Sequence, residues 1–184
     1  MRLFVSVDLP ASLAESIREL QAEFDDPAGL DFVDPTRAHV TLKFLGEVEE
    51  SEYDALVAAL SRAVGDAGVG PFDATFGGLG VFPSLDDIRV VWLGVDDGAD
   101  ELAALHEAVE EACVGLGFDP AEHDFTPHVT LGRMKHAGGT ERVRSVVRER
   151  HPVVGTVRVE EVRLTESTRT AEGAVYETRE RFAL

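Results

Sequence analysis

The chain has 184 residues, 44% hydrophobic and 28% charged, which supplies core for one compact domain and excludes a disordered or fibrous chain. Its 35 acidic residues outnumber 17 basic ones for a formal net charge of −18, and only Lys43 and Lys135 are lysines, which argues against a broad basic face for nucleic acid. The opening apolar run is too short for a secretory signal and no stretch approaches a membrane span, so a cytoplasmic monomer without membrane contact is expected; the lone Cys113 excludes a disulfide framework.

In chain order, Arg2 to Asp8 reads as a strand ended by Pro10. Ser12 with Glu15 makes a capping-box pattern, and Leu13, Ile17, Leu20 and Phe24 recur at helical spacing, which predicts a helix with one apolar stripe. A loop through Asp25, Pro27 and Gly29 leads to a short strand near Phe32, then to a strand from Ala38 to Leu45 that stops at Gly46. A second helix carries Tyr53, Leu56, Val57, Leu60 and Val64, and Phe72 to Phe76 forms a strand ending among Gly77, Gly78 and Gly80.

The second half repeats this order: strand Ile88 to Val95, helix Glu101 to Leu116, strand Thr126 to Met134, helix Glu141 to Arg150 and strand Val154 to Thr165. A last strand, Ala174 to Phe182, is expected to close a hairpin on Val157 to Thr168. His39 and His128 lie 89 positions apart, and the same step carries Leu3, Glu15, Tyr53 and Phe72 into the matching elements. The pattern implies an internal duplication, with approximate halves 1–85 and 86–184 folded as two lobes of one domain, 1–184, around a groove.

Each half carries His-Val-Thr-Leu, at 39–42 and 128–131. Strand alternation puts His39 beside Thr41 and His128 beside Thr130, with the apolar pairs behind. Two imidazoles that titrate near neutrality can divide the work of acid and base, while the threonine hydroxyls hold a phosphate between them. A metal site needs three or four convergent ligands; His123 and His136 flank the second motif, but nothing matches them at the first, so no metal or other cofactor is expected. His106 and His151 read as surface residues and Cys113 as a core residue.

Three segments carry a family resemblance: Arg-Leu-Phe-Val-Ser-Val-Asp-Leu-Pro at the start, Ala-His-Val-Thr-Leu-Lys-Phe-Leu-Gly-Glu-Val at 38–48, and Phe-Thr-Pro-His-Val-Thr-Leu-Gly-Arg at 125–133. They resemble the 2H phosphoesterase superfamily and, within it, the RNA 2′,3′-cyclic phosphodiesterases, historically called 2′-5′ RNA ligases. The resemblance implies an α+β fold of two pseudo-symmetric lobes, with antiparallel sheet lining a central cleft and helices outside. It also implies metal-independent hydrolysis of a 2′,3′-cyclic phosphodiester to a 2′-phosphomonoester, with ligation as the reverse reaction.

By the same resemblance, His39 is the proton donor to the departing 3′ oxygen, His128 is the base, and Thr41 and Thr130 hold the phosphate; the near-symmetric motifs alone do not say which histidine plays which part. Arg133 matches a family arginine that touches RNA or braces the strand, although its parity sets it with Val129 and Leu131. Lys43 shares parity with His39 and reads as an exposed strand lysine within reach of a phosphate; Phe44 reads as core, and Phe125 as a candidate to stack a base. Many members have a tryptophan where this chain has Phe32 and Val33.

The expected partner is RNA with a 2′,3′-cyclic phosphate end, or else a small cyclic nucleotide or tRNA-splicing by-product; a non-catalytic module that binds RNA ends is a further alternative. With so few lysines, affinity should come from the terminal phosphate and one or two nucleotides. The acidity reads first as adaptation to concentrated salt, and the source as a halophilic archaeon.

Overall fold

The computed structural model describes residues 1–24 and 29–184, so the expected loop positions Asp25 and Pro27 lie outside the described residues. Its strands are β1 (Arg2–Asp8), β2 (Leu30–Phe32), β3 (His39–Glu47), β4 (Phe72–Pro83), β5 (Ile88–Asp97), β6 (His128–Met134), β7 (Val153–Val159), β8 (Glu161–Thr170) and β9 (Gly173–Ala183). The helices are α1 (Ala14–Ala22), α2 (Glu50–Asp66), α3 (Ala99–Gly115) and α4 (Thr140–Glu149). All strand pairs are antiparallel, in the order β7-β4-β5-β6-β3-β1-β8-β9 with β2 added on β6, giving an α+β fold.

The helical stripes dictate the layering. Ile17 and Leu20 of α1, Leu56 and Leu60 of α2, and Leu102, Leu105, Val109 and Cys113 of α3 are buried in one core with Val40, Leu42, Val129 and Leu131 of the central strands. The helices thus cover one face of the sheet, and the opposite face of β3 and β6 stays open.

The sheet has a pseudo-two-fold axis at its centre, where β3 and β6 meet at the single pair Val40 and Val129. Strand β1 flanks β3 as β5 flanks β6, and β8 lies outside β1 as β4 lies outside β5. The two halves of the chain exchange strands: β4, from 1–85, lies beside β5 of 86–184, and β8, from 86–184, lies beside β1. The offset between matching strands is also local. Against β3 and β6, Ser6 pairs Thr41 as Trp92 pairs Thr130, so β1 and β5 correspond at 86 positions, three fewer than the histidines.

Several boundaries differ from expectation. Leu13, in a 3-10 turn, precedes α1 and no side chain caps the helix; Glu15 pairs with Arg18 instead, and the capping box of the fold belongs to Glu49 and Glu52 at α2. Strand β4 does not stop at its glycines but runs through them to Pro83. Gly80 is there for room, since a Cβ would sit 2.2 Å from the Trp92 ring, and Gly78 adopts φ +76° under the His151 ring. The run expected as one strand from Val154 to Thr165 breaks at Glu160: β7 pairs β4 at one edge, while β8 crosses to β1 and β9. Continuous strand propensity says nothing of a change of partner.

Candidate active site

The pairing of Val40 with Val129 sets the site. In antiparallel register it places His39 opposite Thr130 and Thr41 opposite His128, all four on the face that the two valines turn away from. The histidines are thus diagonal neighbours, a relation that typically spans roughly 7–8 Å, with a threonine beside each. All four side chains line one cleft of about 390 Å³.

Both imidazoles are oriented the same way. The Nδ1 of His39 lies 2.8 Å from the Arg37 carbonyl and that of His128 lies 2.6 Å from the Thr126 carbonyl. A carbonyl only accepts, so each Nδ1 carries the hydrogen and each Nε2 is left for the cleft. Their surroundings differ. His39 lies against Phe4 and Tyr176, with ring centroids at 5.1 and 5.6 Å, whereas His128 lies against Phe82 and Trp92 at 4.9 and 5.8 Å. Burial pushes the pKa of His128 below the ordinary imidazole value; the Thr126 carbonyl opposes this, and the positive charges of His39 and Arg133 add to it.

Two β-bulges correct the parity argument. In β3 the partners of Thr41 and Lys43 are the adjacent Ser6 and Val5, leaving Leu42 extra; in β6 the partners of Thr130 and Gly132 are the adjacent Trp92 and Val91, leaving Leu131 extra. Leu42 and Leu131 are 89 positions apart, so the bulges are symmetry mates. Each bulge moves the later residues of its strand to the other face. Phe44, expected in the core, is 71% exposed in the cleft, and its mate Arg133 lines the same cleft despite its parity with Val129. Lys43, expected exposed, turns to the helix side and is buried, its Nζ 2.7 Å from Glu110 Oε2 and 2.9 Å from the Asp119 carbonyl.

A bulge leaves a carbonyl out of the ladder, and each is answered from a helix. Leu42 O accepts from His106 Nδ1 of α3 at 2.8 Å; Leu131 O accepts from Gln21 Nε2 of α1 at 3.1 Å and from the Val33 amide at 3.0 Å. His106 is therefore half-buried rather than a surface residue, and Phe125 stacks on it at 4.2 Å instead of facing the cleft. The polar residues Gln21 and His106 on apolar helix stripes were the signal available for this. Val33 lines the cleft while Phe32 packs against the core.

The cleft runs against the charge of the molecule. Arg2, Arg37, Arg133 and Arg169 line it, and among the described residues no Asp or Glu does, in a chain of 35 acids. Such a site focuses positive potential on a bound anion. His123, His136 and His151 are exposed outside it, and among the described residues no three His, Cys, Asp or Glu side chains gather to hold a metal ion.

The sequence matches the 2′-5′ RNA ligase superfamily over residues 9–171. The chain belongs to that superfamily. Superfamily relatives named RNA 2′,3′-cyclic phosphodiesterase include one from Methanothermobacter thermautotrophicus, 35% identical over 100% of this chain and 99% of its own length, and one from Archaeoglobus fulgidus, 35% identical over 96% of each. Among solved structures, a Thermus thermophilus protein superposes with a TM-score of 0.82 at 29% identity, covering 100% of this chain and 98% of its own. The E. coli LigT complex with 3′-AMP superposes at 0.81 with 28% identity, covering 100% and 97%. These superfamily structures share the antiparallel sheet and outer helices described above.

Proposed function

We propose that this chain hydrolyses the 2′,3′-cyclic phosphodiester at an RNA end to a 2′-phosphomonoester, without a metal ion. The observation that carries the reading is the diagonal quartet of His39, Thr41, His128 and Thr130 in a carboxylate-free cleft lined by arginines. The names of the superfamily relatives support the substrate class.

In this mechanism the Thr41 and Thr130 hydroxyls and the Arg133 guanidinium bind the non-bridging phosphate oxygens and stabilise the charge of the transition state. His128, its pKa held below the ordinary imidazole value, enters neutral. Its Nε2 takes a proton from water as the water oxygen attacks phosphorus. The P–O3′ bond breaks, and His39 Nε2–H delivers a proton to the departing 3′ oxygen. The unequal surroundings of the two rings favour this division of roles, and proton transfer at each histidine is worth roughly 10²–10⁴ in rate. In reverse the same groups would close a 2′-phosphate back onto the 3′ oxygen with release of water; with the 5′ hydroxyl of a second RNA end attacking phosphorus in place of water, they would instead join the two ends through a 2′-5′ linkage.

The duplicated halves, 1–85 and 86–184, belong to the same reading: each supplies one histidine and one threonine to a single monomeric domain. The net charge of −18 supports a protein of concentrated salt and a halophilic archaeal cell. No helix among the described residues is long and apolar enough to cross a membrane.

The test is chromatography of a short RNA with a 2′,3′-cyclic phosphate end after incubation with the protein in concentrated KCl and excess EDTA. A 2′-phosphate end is the expected product. Unchanged RNA in the presence of folded protein overturns the reading, and a 3′-phosphate product overturns the assigned leaving group.

A further inference from the structure

The two histidines have different aromatic neighbours. His128 packs against Phe82 and Trp92, which do not line the cleft, whereas His39 packs against Tyr176, which lines it together with Arg37 and Arg169. A chain of contacts links these residues to the catalytic ring. His39 bonds the Arg37 carbonyl, the Arg37 guanidinium lies 5.9 Å from the centre of the Tyr176 ring and donates to the Ala174 carbonyl, and Ala174 pairs Arg169 across the β8–β9 hairpin. Arg37 is oriented by these contacts and by Asp34 at 3.8 Å, whose carboxyl is held below its usual range mainly by Thr36 and further by Arg37.

Arg169 is held differently. Nine arginines of this acid-rich chain, Arg37 among them, have a carboxylate within 4 Å; among the described residues Arg169 has none, a condition it shares with Arg2 and Arg133 of the same cleft and with Arg62, Arg142 and Arg148 outside it. An exposed arginine left unpaired amid so many carboxylates, on the rim of a carboxylate-free cleft, is placed to meet an anion from outside. The reacting phosphate is already held across the sheet centre by the threonines and Arg133. A second anion arrives with an RNA chain, one ribose upstream, through the 5′ oxygen of the terminal nucleoside.

We propose that Arg169, with Arg37 and Tyr176, forms a subsite for the phosphate on the 5′ side of the terminal nucleoside, so that the enzyme distinguishes an RNA end from a bare nucleoside 2′,3′-cyclic phosphate. The proposal rests on the cyclic phosphodiesterase reading above. It sets the length dependence: one step at the second phosphate and little gain from further nucleotides.

The experiment compares kcat/KM for adenosine 2′,3′-cyclic phosphate, the same compound carrying a 5′-phosphate, and the dinucleotide ApA with a 2′,3′-cyclic end, in the native protein and in Arg169→Ala and Arg169→Lys. The native enzyme should prefer the dinucleotide over the bare nucleoside by about tenfold, the order of one charge-assisted contact in an open cleft. The 5′-phosphate alone should recover most of that ratio; Arg169→Ala should collapse it and Arg169→Lys should keep part of it. Equal use of the nucleoside with and without the 5′-phosphate overturns the subsite, as does an unchanged ratio in Arg169→Ala. A ratio that appears only with the second nucleoside overturns it in favour of base stacking on Tyr176. Turnover of none of the three by folded protein overturns the cyclic phosphodiesterase reading itself, and the subsite with it.

Discussion

Gln21 Nε2, on α1, donates to the Leu131 carbonyl at 3.1 Å and to the Val33 carbonyl at 2.8 Å, so a 5%-exposed amide holds the bulge that turns Arg133 into the cleft. Gln21→Leu leaves both acceptors buried with fewer donors, a loss of about 1–3 kcal/mol. Thermal unfolding should register that loss. The steady-state signature is a rise in KM larger than the fall in kcat, because Arg133 is displaced while both imidazoles keep their carbonyl partners. Equal KM in mutant and native enzyme would contradict the link between Gln21 and Arg133.

In the proposed mechanism the acid limb of kcat/KM belongs to His128. Protonation at Nε2 removes the base, so activity falls as the pH drops through a pKa that burial and two neighbouring positive charges hold below the ordinary imidazole value. Arg133→Ala removes one of those charges, so its acid limb should move to higher pH, whatever it does to substrate binding. A pH–rate profile in constant salt checks the direction; a limb that stays in place or moves down refutes the assignment of that limb to His128.

His39→Ala and His128→Ala should each lower kcat by roughly 10²–10⁴, with the melting temperature close to native, because the rings face a cleft rather than the core. Thr41→Ala and Thr130→Ala should lose less, about ten- to a hundredfold, since Arg133 and the remaining hydroxyl still hold the phosphate. Rates with a cyclic-ended RNA, measured beside circular-dichroism melts, separate loss of chemistry from loss of fold.

Lys43 and Glu110 make a largely buried pair, with side chains 5% and 19% exposed. Burial pushes the Glu110 carboxyl up, but Lys43 and the Ala121 amide pull it further down, so its folded pKa lies below the usual carboxylate value. The pair's contribution is therefore complete above the unfolded carboxylate pKa and is lost as the pH falls through the lower, folded one. Lys43→Met should destabilise by about 1–3 kcal/mol near neutrality, with a smaller difference from native at low pH. Denaturant titrations at two pH values check both parts.

A surface of net charge −18 repels itself at low ionic strength, and at about 1 M salt the screening length shrinks to about 3 Å. The melting temperature should rise steadily as KCl is raised from about 0.1 M to above 1 M. A melting temperature indifferent to KCl would remove the basis for reading the charge as a salt adaptation.

The periodic signals were legible. The apolar stripe of Ile17, Leu20 and Phe24, that of Leu56, Leu60 and Val64, and the repeated His-Val-Thr-Leu mark the helices and the two central strands, because burial imposes the period directly. Parity failed after Leu42 and Leu131. A bulge leaves no residue signature when the extra residue is itself a buried leucine, so Lys43, Phe44 and Arg133 were each assigned to the wrong face. The course of the chain through Glu160 is hidden for a related reason: a strand that changes partner keeps its alternation, and the exchange between the two halves of the chain is decided by tertiary pairing alone.

That exchange bears on how the chain can be cut. A break in the exposed Ser84–Asp87 turn would give two fragments with unmatched strands: β4 has both its neighbours, β5 and β7, in the other fragment, and β8 keeps β9 but loses β1. Neither fragment holds a finished sheet, so the pieces should recover structure only by joining as a pair. The histidines share in this dependence, because their spacing is fixed where the fragments meet, at Val40 and Val129. Half of this molecule is not a weaker enzyme but an incomplete fold.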